Sequence, residues 1–203
     1  MLRFNQIKNQ IDNLQVIGKG WRGIVYRGFY KGKDLAFKVP REEIHKKAIN
    51  KEAYLLRELN KYGIGGKLEL TGEDFFAYRF IDGKPLNKVL NKQNASKLLH
   101  QLFCTARKMD KIGISKDEMH RPYKNVLVDK FDNIHLIDFE RAKYCEKTHN
   151  VTQLLHFVIT KGRDFFDKID KETVIALAKE YRRQPNDNNF RKIVDYLFRQ
   201  PQL

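Results

Sequence analysis

The chain has 203 residues, of which 41% are hydrophobic; this suits one domain or two small lobes and excludes collagen-like and disordered proteins. Its 40 Lys and Arg residues against 25 Asp and Glu residues give a net charge of +15, which favours phosphate-rich or acidic partners. Two cysteines far apart exclude a disulfide framework, and no apolar leader or apolar run of about 18 residues is present, which predicts a cytoplasmic protein with no membrane contact.

The first part of the chain has the alternating pattern of an antiparallel sheet. Three strand-like segments lie within Leu14–Val39, and glycine-bearing turns at 18–23 and 31–34 separate them. Two further strand-like segments follow at 68–70 and 75–81. The pattern therefore predicts a five-stranded antiparallel sheet.

One long helix is predicted between the third and the fourth strand. The helical pattern opens after Pro40, covers 41–63 and ends at Gly63, a residue typical of helix C-termini. At about 100° per residue, Glu52 lies in the middle of the apolar stripe of this helix, whereas Glu58 points away from it. A carboxylate centred on a buried face is costly unless a cation pairs with it, so the pattern predicts a cationic partner for Glu52.

Helices dominate the chain after Leu86. A helical segment at 95–113 is followed by a strand hairpin at 126–138. Three amphipathic helical segments come after the hairpin, the first at 151–159 and the last at 190–198, after a break at 184–186. No Pro- or Ser-rich linker separates the two parts of the chain. We predict an α+β fold in which a β-rich lobe at 1–81 is followed by a mostly helical lobe at 82–203.

A glycine-rich loop connects the first two predicted strands. Residues 18–25, GKGWRGIV, match the pattern G-x-G-x-x-G-x-V, in which the missing Cβ atoms allow backbone N–H groups to approach phosphates closely. A dinucleotide-binding loop would open a helix, whereas this loop leads into a strand, so the Rossmann alternative is excluded. A glycine-rich hairpin without a ligand remains as the other interpretation.

A lysine lies at the inner end of the third predicted strand. Alternation places Lys38 on the same face as Ala36 and opposite Leu35 and Phe37. A lysine at such a position is usually a solvated strand residue. A cation that faces a cleft beneath a phosphate loop instead needs an anionic partner when no nucleotide is bound, and Glu52 is the candidate for that partner.

These elements resemble the signature set of the protein-kinase superfamily, which has a Gly-rich loop, a lysine on the third strand, a glutamate on the next helix, a catalytic loop and D-F-G. Residues 125–128, NVLV, and 134–140, IHLIDFE, are similar to the kinase hairpin that carries both magnesium ligands. The resemblance implies a bilobal kinase-like fold and an enzyme that binds ATP with Mg²⁺ or Mn²⁺. The residues that it assigns to metal binding are Asn125 and Asp138; to the catalytic ion pair, Lys38 and Glu52; and to nucleotide binding, Ile17, Gly18, Gly20, Gly23, Val25, Ala36 and Lys38.

The catalytic loop departs from the family pattern H-R-D-x-x-x-x-N. Counting back from Asn125 puts His120 at the position of the family's aspartate, whereas counting forward from Gly113 puts Glu118 there, with Asp117 beside it. All three side chains can accept a proton. His120, Glu118 and Asp117 therefore stay open as candidates for the general base.

Two further departures concern the substrate. The D-F-G position reads Asp138-Phe139-Glu140, a form that resembles small-molecule kinases of the aminoglycoside, choline and sugar type and suggests a loop held in one state. No A-P-E motif is present, and the 65 residues after Asp138 are too few for the usual activation segment and the helices that dock peptides. In its short form the chain resembles the reduced, atypical serine/threonine kinases of archaea, near the RIO and Bud32 types.

We therefore predict an ATP- and magnesium-dependent phosphotransferase of the atypical serine/threonine protein kinase class, acting on a protein substrate. The alternatives are a small-molecule kinase and a nucleotide-binding regulatory subunit or ATPase. Residues 1–70 contain 15 basic and 7 acidic side chains, more positive charge than a nucleotide site requires. This density predicts an acidic protein or RNA partner, although no RNA-binding signature is present.

Overall fold

The computed structural model describes residues 1–166 and 168–199, and the chain divides into two compact units. The first unit contains Met1–Asp82 and His135–Glu140; the second contains Gly83–Ile134 and the described residues from Arg141 onward. The first unit thus ends its main segment one residue after the boundary predicted at residue 81, and it takes up a later segment that no sequence pattern assigned to it. The α+β composition is compatible with a kinase-like fold.

The first unit is built on the predicted five-stranded antiparallel sheet, which is confirmed. Its strands, in the spatial order β1-β2-β3-β5-β4, are β1 (Asp12–Lys19), β2 (Gly23–Tyr30), β3 (Lys33–Pro40), β4 (Leu68–Thr71) and β5 (Phe76–Arg79). Strands β2 and β3 pair over their full length, from Gly23 opposite Pro40 to Tyr30 opposite Lys33. This regular pairing fixes the position of the loop that precedes β2 relative to the end of β3.

Two helices belong to the first unit: α1 (Phe4–Ile7) and α2 (Lys46–Asn60). Helix α2 is the long helix expected from the sequence, but the predicted start at residue 41 is wrong. Strand β3 runs to Pro40, and Glu43–His45 form a 3₁₀ turn before the α-helix begins. Helix α1 was not predicted, because four residues are too few to show a helical period.

Aromatic packing holds α1 on one face of the sheet. The ring of Phe4 lies 5.3 Å from the ring of Tyr26 and 5.7 Å from that of Phe75. The buried cluster around it contains Phe4, Ile7, Ile11, Tyr30, Leu35, Phe37, Phe75 and Ala77. Complete burial of one such side chain contributes about 2–3 kcal/mol, so tertiary packing rather than helix propensity stabilises this single turn of helix.

Glu73, in the turn between β4 and β5, connects three parts of the first unit. Its Oε1 atom lies 2.8 Å from Arg3 Nη2 and 2.6 Å from Lys46 Nζ at the start of α2. Its backbone N–H donates a hydrogen bond to the Leu2 carbonyl. Hydrogen bonds from Arg3 and Lys46, reinforced by their positive charges, lower the pKa of Glu73 to about 2.

Substitution Glu73→Gln is expected to lower the unfolding temperature at pH 7 by about 2–4 °C. A carboxylate whose pKa is lowered by folding stabilises the protein above its unfolded-state pKa of about 4.5, and this stabilisation is lost as pH falls towards about 2. Thermal unfolding followed by circular dichroism should therefore show a difference from the wild type that shrinks between pH 4.5 and pH 2. Glu58→Gln, which removes only the local pair with Lys61, is the control. A Glu73→Gln deficit of equal size at pH 7 and pH 2 would contradict the prediction.

The second unit is mostly helical. Its helices are α3 (Leu86–Val89), α4 (Ala95–Lys111), α5 (Asn150–Lys161), α6 (Lys171–Arg183) and α7 (Asp187–Phe198). Its short strands are β6 (Gly83–Pro85), β7 (Ile114–Ser115), β8 (Val126–Asp129) and β10 (Lys143–Tyr144). Strand β9 (Ile134–Leu136) begins at the last residue of the segment Gly83–Ile134 and continues in the first unit. Strand β6 pairs antiparallel with β8, and β7 pairs antiparallel with β10. Helix α4 corresponds to the helical segment predicted before the hairpin, and α5, α6 and α7 correspond to the three predicted after it.

Side-chain caps define where the last two helices begin. Asp170 accepts a hydrogen bond from the backbone N–H of Thr173, and Asn186 accepts one from that of Asn189. Such caps satisfy N–H groups that have no partner within the helix.

Across residues 1–166 and 168–199, every helix is too short or too polar to cross a membrane.

Candidate active site

In the first unit, Lys38 on β3 lies between two carboxylates. Its Nζ atom is 2.7 Å from Glu52 Oε2 and 2.9 Å from Asp138 Oδ1. Lys38 is 8% exposed and Glu52 is 3% exposed. Glu52 reaches this position because α2 turns its apolar face towards the sheet and carries the carboxylate within that face. The structure thus gives Glu52 the cationic partner that its position requires.

Burial and charge act in opposite directions on this pair. Burial lowers the pKa of Lys38, but the attraction of Glu52 and Asp138 outweighs it, so the pKa of Lys38 is raised. Burial raises the pKa of Glu52, an effect that Lys38 opposes and the charge of Asp138 reinforces. Because Lys38 keeps its proton so strongly, it presents a permanent positive charge at this point.

Asp138 is presented by an unusual backbone conformation. Its φ angle is +60°, in the left-handed region that Asp tolerates better than most residues. The next residue, Phe139, is buried, and its backbone N–H donates a hydrogen bond of 3.0 Å to Glu52 Oε1. Glu52 therefore holds both Lys38 and the turn that carries Asp138, whose side chain remains 45% exposed.

The Gly-rich loop forms the connection from β1 to β2. Its turn is closed by a hydrogen bond of 2.8 Å from Gly20 N–H to the Gly23 carbonyl. A Cβ atom at Gly23 would lie 3.2 Å from Ile49 Cδ1 and 3.3 Å from Lys38 Cε, so glycine permits the loop to approach the lysine. The other residues that sequence reasoning assigned to nucleotide binding lie on the same sheet: Ile17 and Gly18 on β1, Val25 on β2, and Ala36 on β3.

An ion pair joins this loop to the segment that follows Asp138. Arg22 Nη1 lies 2.8 Å from Glu140 Oε1, and the two side chains are 40% and 15% exposed. Glu140 stands where the kinase pattern has glycine, so this contact exists only with the D-F-E form. Sequence reasoning missed the pair because the partners are 118 positions apart and neither residue carries a local signal.

Tyr78 on β5 is a further residue that sequence reasoning missed. It lies opposite Ala36 in the pairing of β3 with β5, and a Cβ atom at Gly66 would lie 2.4 Å from the Tyr78 ring. Burial raises the pKa of Tyr78 to about 12, so its hydroxyl stays protonated beside the charged pair. Alternation along β5 was the available signal, since it places Tyr78 and Phe76 on one face.

In the second unit, Glu118 lies beside Asn125. Glu118 Oε2 accepts a hydrogen bond from Asn125 Nδ2, and Glu118 Oε1 lies 3.4 Å from Arg141 Nη1. The other two candidate bases are placed differently. His120 Nδ1 is 3.4 Å from a side-chain amide oxygen of α5, and Asp117 is exposed. Of the three side chains left open by the sequence, Glu118 is the one that the structure brings next to Asn125.

Asn150, the first residue of α5, anchors the start of the loop that carries Glu118. Its Oδ1 atom accepts a hydrogen bond of 2.8 Å from Lys116 N–H, and its Nδ2 atom donates to the Ile114 carbonyl at 2.7 Å and to Asp110 Oδ1 at 2.8 Å. Asn150 is fully buried. A buried amide whose hydrogen bonds are satisfied fixes the backbone to which it bonds.

The candidate site offers few protein ligands for a magnesium ion, as is usual where a bound nucleotide supplies the others. Within 1–166 and 168–199, no three or more His, Cys, Asp or Glu side chains are grouped as a metal site. Mg²⁺ in nucleotide enzymes takes one or two protein oxygen ligands and completes its shell with phosphates and water. The exposed carboxylate of Asp138 suits that role.

Comparison with known proteins gives one distant similarity. No known family model matches the chain. A protein of Bacillus subtilis (strain 168) named "Putative serine/threonine-protein kinase YrzF" is 24% identical to it over 164 residues, which cover 78% of this chain and 75% of that protein. The chain is thus distantly similar to a protein that carries a serine/threonine kinase name.

Proposed function

We propose that the protein is a kinase-like phosphotransferase that transfers the γ-phosphoryl group of ATP to a serine or threonine hydroxyl of a protein. The observation that carries the proposal is the position of Lys38, held between Glu52 and Asp138 beneath the Gly-rich loop. A fixed cation at this point can neutralise phosphate oxygens, and the glycines leave room for backbone N–H groups to approach them.

Each residue of the candidate site has a role in this proposal. Lys38 binds phosphate oxygens, and Glu52 holds Lys38 in place. Asp138 would hold Mg²⁺, and the resemblance assigns the same role to Asn125; a bound ion would supply positive charge to offset the charge of the phosphates. Glu118 accepts the proton of the acceptor hydroxyl as the new oxygen–phosphorus bond forms and the bond from the γ-phosphorus to ADP breaks.

We also propose the kinase class and the kind of partner. The D-F-E form and the loop at 120–125 support an atypical kinase, near the RIO and Bud32 types. The net charge of +15 supports an acidic protein or RNA as a partner.

Incubation of the full chain with γ-³²P-labelled ATP tests the proposal. We expect Mg²⁺-dependent label on the protein itself and on an added acceptor such as casein, recovered as phosphoserine or phosphothreonine after acid hydrolysis. Chelation of the divalent ion should abolish the label. Hydrolysis of ATP to ADP without label on any protein would replace the kinase with the ATPase alternative.

A small-molecule kinase is the second candidate, and the segment after Glu140 favours it. Residues 141–149 contain only the two-residue strand β10 before α5 begins, which leaves little chain for binding a peptide substrate. A coupled assay of ADP release with aminoglycosides, choline and sugars as acceptors tests this candidate. Stimulation by one of them, without label on protein, would support it over the protein kinase.

A further inference from the structure

We propose that the Arg22–Glu140 ion pair holds the Gly-rich loop in the conformation seen in the structure before nucleotide binds, and that Glu140 is thereby a positioning residue for nucleotide binding. The second part of this inference rests on the proposed function, whereas the first concerns the protein without any ligand.

The loop has few other means of staying in place. Glycines on both sides of Trp21-Arg22 give the backbone wide conformational freedom. The tip residue, Trp21, is 79% exposed, so apolar packing of this large side chain contributes little. On the β3 side, the Arg22 carbonyl accepts a hydrogen bond of 2.9 Å from Arg41 N–H. The Arg41 side chain also donates a long hydrogen bond of 3.5 Å from Nη1 to the Gly20 carbonyl. The guanidinium of Arg22 adds a charged contact, at 2.8 Å from Glu140.

The other end of the ion pair is rigid. Glu140 directly follows Phe139, whose ring is buried and whose N–H is bonded to the buried Glu52 carboxylate. A charge attached to such an anchor can restrain a flexible loop, whereas two mobile side chains restrain little. Glu140 itself is mostly covered, at 15% exposed, which reduces the screening of its charge.

A loop that is ordered in advance binds its ligand more tightly, because the ordering cost is not incurred on binding. One partly shielded ion pair is worth a factor of about five in a binding constant. Loss of either partner should therefore weaken nucleotide binding about fivefold. The phosphoryl-transfer step at saturating nucleotide should change little, since neither side chain is assigned to the reacting atoms.

Trp21 allows the loop to be observed directly, because it is the single tryptophan of the chain and is adjacent to Arg22. We expect Arg22→Gln and Glu140→Gln to increase the local motion of Trp21 in nucleotide-free protein equally, as measured by time-resolved fluorescence anisotropy. The double variant should show no further increase, and the charge-exchanged variant, Arg22→Glu with Glu140→Arg, should restore the wild-type anisotropy. Unchanged or additive effects would overturn the proposal.

Asp34→Asn provides a matched control for this measurement. It breaks the pair between Arg27 and Asp34, which has the same 2.8 Å separation but lies at the opposite end of β2 and β3. This variant should leave the anisotropy of Trp21 unchanged. A change as large as that in Glu140→Gln would show that the effect is general destabilisation and would overturn the proposal.

Calorimetric titration with a non-hydrolysable ATP analogue and Mg²⁺ tests the nucleotide part. We expect the Kd to rise about fivefold in each single variant and in the double variant, and to recover in the charge-exchanged variant. Tighter binding in Glu140→Gln would overturn the proposal, because it would make the ion pair an obstacle to nucleotide. If the wild-type protein binds no nucleotide, the proposed function and this part fall together, while the anisotropy still decides the role of the pair in the loop.

Discussion

Replacement of Lys38 with methionine is expected to reduce phosphoryl transfer by about 10²–10³-fold, because it removes the fixed cation that neutralises phosphate charge during the reaction. Methionine retains the length and apolar character of the lysine stem. Initial rates of transfer from labelled ATP, compared over a range of ATP concentrations, measure the effect. Lys33→Met, on the same strand but in a half-exposed pair with Glu69, is the control and should retain the wild-type rate. Undiminished transfer in Lys38→Met would contradict the proposed function.

The same substitution should also destabilise the protein, since it leaves the buried carboxylate of Glu52 without its cation. The expected loss is about 3 kcal/mol in the free energy of unfolding at neutral pH. Burial already raises the pKa of Glu52 above its ordinary value of 4.5, and removal of Lys38 takes away the group that opposes this rise. A carboxyl group whose pKa is raised by folding destabilises the protein as pH increases above 4.5, so the deficit should be smaller in acid.

A double variant separates the two effects of Lys38. Glu52→Gln combined with Lys38→Met removes the unpaired buried charge, and glutamine keeps an oxygen that can accept the hydrogen bond from Phe139 N–H. Urea unfolding should show that the double variant recovers most of the lost stability. Its transfer rate should remain as low as that of Lys38→Met. Recovery of transfer together with stability would mean that Lys38 acts only through the fold.

Substitution Glu118→Gln is expected to reduce transfer by about 10²–10⁴-fold, the usual contribution of a general base. Glutamine retains the size of the side chain and a hydrogen-bonding group for Asn125, so the loop should keep its conformation. Single-turnover measurements with excess enzyme isolate the transfer step from product release. The far-ultraviolet circular dichroism and the unfolding temperature of the variant should match those of the wild type.

The neighbouring residues serve as controls for Glu118. Alanine at 117, 118 and 120 should be compared under the same single-turnover conditions, and only the change at Glu118 should cause the large loss. A full rate in Glu118→Ala with a large loss in His120→Ala would transfer the role of base to His120. A large loss only in Asp117→Ala would transfer it to Asp117.

The sheet and the long helices could be predicted because their signals are local. The glycine-bearing turns on either side of β2 and the alternation along β3 are visible within a few residues. The start of α2 was misplaced because 41–45 have helix-forming composition, although Pro40 still pairs within the sheet and the next residues form a 3₁₀ turn. Helix α1 exists through contacts of Phe4 with residues distant in the chain, such as Phe75, which no local pattern reports.

The residues of the candidate site also differ in whether a local sequence signal reports them. A cationic partner for Glu52 could be inferred from one helix, because a carboxylate within an apolar stripe requires one. Which of Asp117, Glu118 and His120 lies next to Asn125 could not be predicted, because it depends on the path of a loop that Asn150 holds from a remote helix. The Arg22–Glu140 pair is another long-range contact. Contacts between residues far apart in the sequence were therefore the ones that could not be predicted.

The discontinuity of the first unit has a consequence for protein synthesis. Residues 1–82 leave the ribosome long before 135–140, which complete that unit. Until then Glu52 lacks the N–H of Phe139, and Lys38 lacks Asp138. Assembly of the candidate site is therefore a late event in co-translational folding, and no single cut in the gene yields two fragments that each contain a whole unit. Evolution by exchange of one lobe is correspondingly restricted, since a donated lobe would have to arrive in two pieces.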